Sequence, residues 1–461
     1  MPATLLVDAV GSCIAIDLSA LSPEDADAVR EAWADAPAPD GAQPVQTITP
    51  LIADRVDMLS ALSQQVTLAA IEAARGRAWM LHAAGVATPD GQVVVLVGPS
   101  GRGKTTASRA LGAVYGYVSD ETIAIDADGR VWPYRKPLSV IEDPAAPKTQ
   151  LAPSAVGLKP LPDADLRVAA IVLLDRDPEH PEEPEVEVAD LGDALEDLVS
   201  QTSFLHHQTA GLRFIAGLAE ATGGIRSVRY REAATLPALI PALAQEAGPI
   251  VVPEPGVKAR GDSDVSGVQE GPEGPNLPRF SRAAAEDEVA LTDPDRIAVL
   301  TIVHEQGHVT VLGGIAPAVW RAADHATLAE LVAAAVDAYG EPDGVDAGPA
   351  VLMAVGQLMD AGLLTSDEPR LARREDVAWV DSGERIVALA LSPEEDQTLA
   401  QPAALTGSAA LIWEWLEEPV ALTQLIARTL EVAGTDAAAE VPAQVEAFVT
   451  DLTASRLIET L

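Results

Sequence analysis

The pattern of apolar and polar positions changes three times along the chain. Residues 1 to about 60 contain two short apolar segments, ATLLVDAV and CIAIDL, followed by SPEDADAV, which is typical of a capped helix start. Residues 61–248 alternate helical segments with apolar runs of strand length, which predicts an α/β domain. Residues 249–285 are rich in Pro, Gly and acidic residues with little to bury, and they predict a flexible linker.

A faint internal repeat follows the linker. GIAPAVW ends at Trp320 and GSAALIW ends at Trp413, and each has a Gly six residues before the Trp. Strand-and-turn patterns precede both, so each copy predicts a three-stranded antiparallel sheet followed by about three helices. The third strand of the second copy is poorly marked, around QTLAQP. We place the modules at residues 286–368 and 369–461 and expect both Trp side chains to pack in a core.

The segment VHEQGHVTV in the first module carries His304, Glu305 and His308 in the HExxH spacing. On a helix this spacing makes a zinc protease site, with Glu305 activating the metal-bound water. The flanking segments RIAVLTIV and HVTVL are rich in β-branched residues and favour strands instead. We therefore predict a strand–turn–strand without zinc, in which Gly307 supplies a positive φ.

Composition and charge narrow the classes of protein. The 461 residues are 48% hydrophobic, enough for about three domains with sizeable cores, and the formal net charge is −40. Such a surface repels nucleic acids and anionic membranes, and it serves either solubility or attraction of a basic or neutral peptide. A single cysteine, Cys13, excludes a disulfide framework and fits a reducing cytoplasm. We recognise no signal peptide and no membrane-spanning segment, so we expect a cytoplasmic protein.

The strongest chemical motif is VVVLVGPSGRGKTTASRAL, a phosphate-binding loop between a buried strand and a helix. The predicted nucleotide-binding residues are Gly98, Ser100, Gly101, Arg102, Gly103, Lys104, Thr105 and Thr106. Lys104 is expected to reach the β- and γ-phosphates of ATP or another nucleoside triphosphate, and the Thr105 hydroxyl to hold Mg²⁺. The N-terminus of the following helix adds its positive dipole end.

Such a loop needs a carboxylate for the metal or for the attacking hydroxyl. Asp120 and Glu121 follow the next predicted strand in GYVSDE, and Asp175 ends another buried strand in AAIVLLD. We prefer Asp120 with Glu121 beside it. His82, in LHAAGV ahead of the loop strand, either faces the same pocket or packs in a core.

The segments LHAAGV, VGPSGRGKTTASRAL and GYVSDETIAI together resemble the catalytic core of HPr kinase/phosphorylase, over roughly residues 65–245. The resemblance implies that His82 is an active-site residue, that Asp120 is the base for an attacking hydroxyl, and that Glu121 helps Thr105 with the metal. Thr105 replaces the usual Ser, the acidic pair is Asp-Glu instead of Asp-Asp, and the family's C-terminal signature loop is not found. We therefore do not extend the resemblance to phosphorylase activity, to HPr as substrate or to a hexameric ring.

YRKPLSV resembles a segment of the kinase-like relatives. It carries Arg135 and Lys136, which either contact phosphates or lie on the surface.

The tandem modules are similar to PqqD-like peptide-recognition modules, most clearly over residues 371–461. That resemblance implies two small winged-helix modules that bind the leader of a ribosomally made precursor peptide. The leader would add a strand to the sheet edge. The expected fold is thus multidomain, with an HPr-kinase-like α/β domain followed by two α+β modules.

Three functions compete at this stage. The chain is an ATP-dependent kinase of a captured precursor peptide, or an adaptor that delivers the precursor to separate tailoring enzymes in a lasso- or daptide-like pathway, or a winged-helix regulator. The regulator conflicts with the charge, because residues 261–461 contain no lysine and phosphate contacts need a basic face. The sequence does not determine the oligomeric state.

Overall fold

The computed structural model describes residues 3–99, 103–140, 149–255, 277–292, 295–304, 306–341, 346–391, 401–434 and 439–461. The chain forms two compact units. The first contains Met1–Gly256, Glu286–Leu291 and Ala298–Val311, and the second contains Val257–Ala285, Thr292–Ile297 and Leu312–Leu461. Among the described residues, no helix has the length and apolar character needed to cross a membrane.

A small sheet and two helices open the first unit. Its elements are β1 (Thr4–Ala9), β2 (Ser12–Asp17), α1 (Pro23–Ala32), β3 (Gln46–Ile48) and α2 (Arg55–Ala74). The two strands and the capped helix predicted here are confirmed, and Ser22 Oγ accepts from the backbone N–H of Asp25 at 3.1 Å. The third strand was not predicted. No boundary falls at residue 60, because α2 continues across it.

The central part of the first unit contains a six-stranded sheet covered on both faces and two smaller sheets of four and two strands. Its elements are β4 (Trp79–Leu81), β5 (Ala83–Ala87), β6 (Gln92–Val97), α3 (Lys104–Gly112), β7 (Gly116–Ser119), β8 (Ile123–Ile125), β9 (Val131–Trp132), β10 (Leu138–Val140), β11 (Thr149–Leu151), β12 (Arg167–Arg176), β13 (Glu185–Val188), α4 (Leu191–Ser200), β14 (Thr202–Ser203), α5 (Gly211–Ala221), β15 (Arg226–Tyr230) and α6 (Ile240–Leu243), with short 3₁₀ turns at Pro153–Val156, Leu205–His207 and Ala233–Leu239.

The strand order of this sheet is β13-β15-β12-β6-β5-β7. Strands β6, β12 and β15 are parallel. The run Val93–Val97 in β6 is buried throughout, and alternate residues pack into two different hydrophobic clusters. The continuous apolar run of this strand thus reflects burial on both faces, as the sequence pattern predicted.

Two copies of one element order make up the rest of the chain. The first copy is β16 (Arg279–Arg282), β17 (Asp287–Thr292), β18 (Asp295–Val303), β19 (Gln306–Leu312), α7 (Ala316–Ala322), β20 (Ala326–Thr327), α8 (Leu328–Tyr339), α9 (Gly348–Asp360) and β21 (Leu364–Ser366). The second is β22 (Arg370–Arg373), β23 (Val377–Asp381), β24 (Ile386–Ala390), β25 (Ala403–Leu405), α10 (Ser408–Trp415), β26 (Val420–Ala421), α11 (Leu422–Ala433), α12 (Val441–Ala454) and β27 (Ile458–Thr460).

Each copy has the predicted three-stranded sheet followed by three helices, β17-β18-β19 in the first and β23-β24-β25 in the second. Trp320 and Trp413 are buried, as expected. Each copy also contains a second small sheet, β20-β16-β21 in the first and β26-β22-β27 in the second. The sequence did not predict these sheets, because their strands are short. The third strand of the second copy lies at Ala403–Leu405, just after the segment in which it was sought.

Helices α9 and α11 join the two copies within the second unit. A Cβ placed on Gly356 of α9 would lie 2.1 Å from the Cβ of Ala427 on α11, so only glycine permits this approach. Asp360 at the end of α9 accepts hydrogen bonds from Gln424 at 2.6 Å and from Arg428 at 2.8 and 3.0 Å.

The expected linker at 249–285 needs correction at both ends. Ile250 packs against the core of the first unit, and the Val251 carbonyl would lie only 2.4 Å from a Cβ on Gly217 of α5. At the other end β16 begins at Arg279, and Phe280 is buried. Residues 256–276 lie outside the described residues.

The HExxH segment is a strand–turn–strand, as predicted, with β18 ending at Val303 and β19 beginning at Gln306. The positive φ of 50° belongs to His304, however, and not to Gly307, which lies inside β19. The prediction for Gly307 was wrong. It relied on the general preference of glycine for positive φ, whereas in this short turn the first residue, His304, adopts that conformation. Glu305 lies outside the described residues.

The sheet of the first copy has one face in the core of the first unit. Val289, Leu291, Ala298 and Leu300 are buried there in the same cluster as side chains of α4 and α5. Asp287 is buried at the edge of this face and accepts from the Arg213 backbone at 3.1 Å and from its Nε at 2.6 Å.

We predict that Asp287→Ala destabilises the fold by about 2–3 kcal/mol. The Arg213 side chain would lose its partner while only 21% exposed. The matched control is Asp376→Ala, since Asp376 directly precedes the first strand of the second copy's three-stranded sheet and pairs with Arg374 at 2.8 Å, with about a third of both side chains exposed. We expect that change to cost under about 1 kcal/mol. Urea unfolding followed by circular dichroism measures both, and equal effects would contradict the assigned role of the buried pair.

We also predict that His304 and His308 hold no zinc, because a turn and a strand do not place them on one helical face. Metal analysis of protein purified without chelator should give well under one equivalent. One equivalent of zinc that disappears in His304→Ala would overturn the interpretation of this segment.

Candidate functional site

The site depends on the direction of one strand, β5. Strand β5 lies between β6 and β7 and runs antiparallel to both, with Ala83 opposite Val97 and Gly85 opposite Ser119. The start of β5 therefore lies beside the ends of β6 and β7. Three segments far apart in sequence meet at this edge: His82 before β5, the loop after β6, and the acidic pair after β7.

A cavity of about 530 Å³ lies at this edge. Its lining is mostly polar and comes from α2, from the start of α3, and from the residues around β7, β10 and β11. The lining residues are Ser60, Ser63, Gln64, His82, Gly103, Lys104, Thr105, Thr106, Asp120, Glu121, Lys136, Ser139 and Gln150.

Lys104 is the first residue of α3 and is almost fully buried. Its Nζ donates to the Gly98 carbonyl at 2.5 Å, and burial lowers its pKa. Gly103 precedes it with φ 91°, and a Cβ there would lie 3.1 Å from the Tyr230 hydroxyl, so the position requires glycine. The predicted binding residues Ser100, Gly101 and Arg102 lie outside the described residues.

Asp120 sits just past β7 and faces the cavity. Its Oδ1 atom is buried, and the buried Tyr117 hydroxyl is the neighbour that interacts with this carboxyl. Burial raises the pKa of this carboxyl, and the positive charge of Lys136 opposes that rise. Ser119 shapes the turn, because its Oγ accepts from the backbone N–H groups of Glu121 at 3.3 Å and Thr122 at 3.2 Å. A carboxyl group whose pKa is raised by burial and which lines a polar cavity is suited to receive a proton.

Glu121 forms an ion pair with Lys136, whose side chain is mostly buried. Lys136 therefore lines the cavity and is not an exposed surface residue, which was the other possibility for this side chain. Arg135 points elsewhere: it donates to the carbonyls of Tyr117 at 2.6 Å and Lys159 at 3.0 Å and lies near Asp35. It is buried and does not line this cavity; it lines a separate cavity beside Asp35 instead.

His82 is half-buried, and its backbone N–H donates to the Gln201 carbonyl at 2.7 Å. Burial and the nearby charge of Lys104 lower its pKa, so the imidazole is neutral near pH 7. A neutral ring both donates and accepts hydrogen bonds, which suits a polar cavity.

Thr105 and Thr106 present exposed side chains to the cavity, in the first turn of α3. Asp175, the other candidate carboxylate, is not among the lining residues. Its Oδ2 pairs with Arg229 Nε at 3.1 Å across the parallel strands β12 and β15.

Sequence reasoning missed five lining residues. They are Ser60, Ser63, Gln64, Ser139 and Gln150. The first three form one face of α2 at the i, i+3, i+4 spacing, which is the only local signal. That face becomes part of a site only in the folded chain, where it lines the same cavity as the start of α3.

Comparisons with known proteins give little further information. No family model matches the chain, and no curated protein matches it. Among solved structures, the HPr(Ser) kinase/phosphatase from Coxiella burnetii is a weak neighbour, with 14% sequence identity over 36% of this chain and 92% of that chain, at a TM-score of 0.21. A TM-score of this size does not establish a common fold, so the site is interpreted from its own geometry. None of these comparisons supports the PqqD-like modules, which stay a prediction.

The cavity fits a triphosphate and Mg²⁺ on its own chemistry. The start of α3 and two lysines supply positive charge for phosphates. The described residues hold no group of three or more His, Cys, Asp or Glu that could ligate a metal by itself. Mg²⁺ in nucleotide sites typically binds one or two protein oxygens together with phosphates and waters, and the Thr105 hydroxyl and the Glu121 carboxylate offer such oxygens.

Proposed function

We propose that the chain is a nucleoside-triphosphate-dependent phosphotransferase that acts on a hydroxyl group. The observation that carries this proposal is the meeting of Lys104, Asp120 and His82 in one cavity at the start of α3. Phosphoryl transfer to a hydroxyl uses a cation that binds the phosphates and a carboxylate that accepts the hydroxyl proton, and Lys104 and Asp120 are groups of these kinds. The neutral imidazole of His82 can donate or accept a hydrogen bond beside them.

Lys104 and the N-terminus of α3 bind the phosphates, with ATP as the expected nucleotide. Thr105 and Glu121 hold Mg²⁺, which neutralises charge on the phosphates when bound. In the transfer itself the acceptor oxygen forms a bond to the terminal phosphorus and the bond from that phosphorus to the β-phosphate oxygen breaks. The hydroxyl proton goes to Asp120, and the nucleoside diphosphate leaves.

The acceptor is, in this proposal, a residue of a ribosomally made precursor whose leader binds the C-terminal copies. The support is their likeness to PqqD-like modules in the order of sheet and helices. A leader would add as a strand at an outer edge of a three-stranded sheet. The net charge of −40 favours a neutral or basic peptide over nucleic acid.

A second candidate is an adaptor that binds nucleotide and leader without turnover and presents the precursor to other enzymes. The ion pair between Glu121 and Lys136 favours it, because a carboxylate neutralised by lysine is a weaker metal ligand.

We predict that Mg-ATP at 100 times its dissociation constant stabilises the first unit by about 2.7 kcal/mol. Lys104→Ala removes the buried phosphate cation and should abolish most of that gain at the same concentration. Lys159→Ala is the control, since it removes an equal charge from an exposed position. Thermal unfolding measures all three, and a wild-type midpoint that does not move with saturating Mg-ATP refutes nucleotide binding.

We predict that Asp120→Asn abolishes phosphoryl transfer and leaves nucleotide binding intact, because the base acts only in the transition state. Mass spectrometry of the precursor should show the gain of one phosphate with the wild type and none with the variant. A wild-type protein that binds leader and ATP but never adds phosphate leaves the adaptor as the function.

A further inference from the structure

A second cavity, of about 390 Å³, shares no lining residue with the cavity at the start of α3. Most of its wall is aliphatic and comes from Pro37, Pro133, Pro160 and Leu161. Three charged side chains also line it, and they are Asp8, Asp35 and Arg135. A cavity of this kind suits a ligand that has both an apolar part and a charge.

The charge of Asp35 is already compensated within the protein. Its Oδ2 lies 3.6 Å from Arg135 Nη2 and accepts from the backbone N–H of Ser154 at 2.5 Å. Arg135 is only 7% exposed, and its other hydrogen bonds hold it in place. These two residues therefore form a fixed pair without net charge.

Asp8 lies in the same cavity without such compensation. It is opposite Cys13 in the β1–β2 ladder, and its backbone N–H donates to the Ala36 carbonyl at 2.9 Å, which holds it beside Asp35. In the described part of the chain, the Gly11 N–H and the Cys13 thiol are the groups that interact with the Asp8 carboxyl, and no cation is among them.

The surroundings of Asp8 define what would stabilise its ionised form. Burial raises the pKa of this carboxyl to about 6, although the hydrogen bond from Gly11 opposes the rise. A ligand cation would supply the missing counter-charge through a charge-assisted hydrogen bond. An alkyl chain that carries the cation would pack on the prolines and Leu161, as the stems of lysine side chains do on apolar surfaces.

We propose that this cavity binds a primary ammonium group on a short aliphatic chain, with Asp8 as its counter-ion. The inference is independent of the proposed phosphotransfer, because it uses none of the residues that line the nucleotide cavity. A lysyl side chain of a peptide and a free diamine share this chemistry. The net charge of −40 attracts any cation to the protein, whereas the aliphatic wall selects the alkyl chain.

The test compares three probes by saturation-transfer NMR of the full chain at pH 7.5 and physiological salt. They are N-acetyl-lysinamide, N-acetylnorleucinamide, which lacks the ammonium group, and 1,4-diaminobutane. We expect the lysine probe to bind on the order of tenfold more tightly than the norleucine probe, because only it reaches Asp8 with a charge. Whichever cationic probe binds more tightly identifies the source of the ligand, and failure of both to bind overturns the site.

The pH dependence distinguishes this cavity from ordinary acidic surface. With a pKa of about 6, Asp8 is about one tenth ionised at pH 5, so the lysine probe should bind about tenfold more weakly there than at pH 7.5. Of the other groups that face Asp8, Asp35 is paired with Arg135, and burial raises the pKa of the Cys13 thiol, which keeps its proton. Affinity that does not change between the two pH values contradicts the role of Asp8.

Asp8→Asn should remove the preference for the lysine probe over the norleucine probe. We expect its unfolding midpoint to stay at or above that of the wild type, because burial penalises the ionised carboxyl that the variant lacks. Asp40→Asn is the matched control, since Asp40 is exposed and does not line the cavity. A preference that survives Asp8→Asn, or that falls equally in Asp40→Asn, overturns the site in favour of general attraction to the acidic surface.

Discussion

The direction of β5 is the constraint on which the site depends. Its antiparallel pairing with both neighbours places the start of one strand against the ends of two others. His82, the loop after β6 and the pair after β7 would otherwise lie at opposite edges of the sheet. The backbone hydrogen bonds of these ladders hold the three segments together, so the site depends on the register of β5 against β6 and β7.

Electrostatics distinguish the cavity from the rest of the molecule. The surface is strongly acidic, yet this cavity contains two buried lysines and the start of a helix. Burial shifts the pKa values of basic and acidic groups in this cavity in opposite directions. It lowers the pKa of Lys104 and His82 and raises that of Asp120, so each group moves toward its uncharged form. A bound triphosphate would oppose this shift for Lys104, because its negative charge would compensate the desolvation of the ammonium group.

The two C-terminal copies differ in what covers their sheets. In the first copy, the sheet face that carries Val289, Leu291 and Leu300 is buried in the core of the first unit. In the second copy, the aligned segment RIVALAL carries Val387 and Leu389, and both side chains are only half-buried. Val380 on the neighbouring strand is exposed. Related sequences therefore form the same local sheet, while the elements that pack against one face decide whether that face is buried.

Local features followed from the sequence alone. The phosphate-loop motif with its strand and helix, the capped α1, the two buried Trp residues and the strand–turn–strand at HExxH depend on interactions among residues close in the chain, which spacing and residue type reveal. Tertiary structure decided what depends on distant partners. It brought Ser60 and Gln150 to the cavity, turned Arg135 away from it, and paired Asp175 with Arg229. It also buried one oxygen of Asp120 and the side chain of Gln150, because burial and pairing are set by segments that meet only when the sheet and α2 have packed.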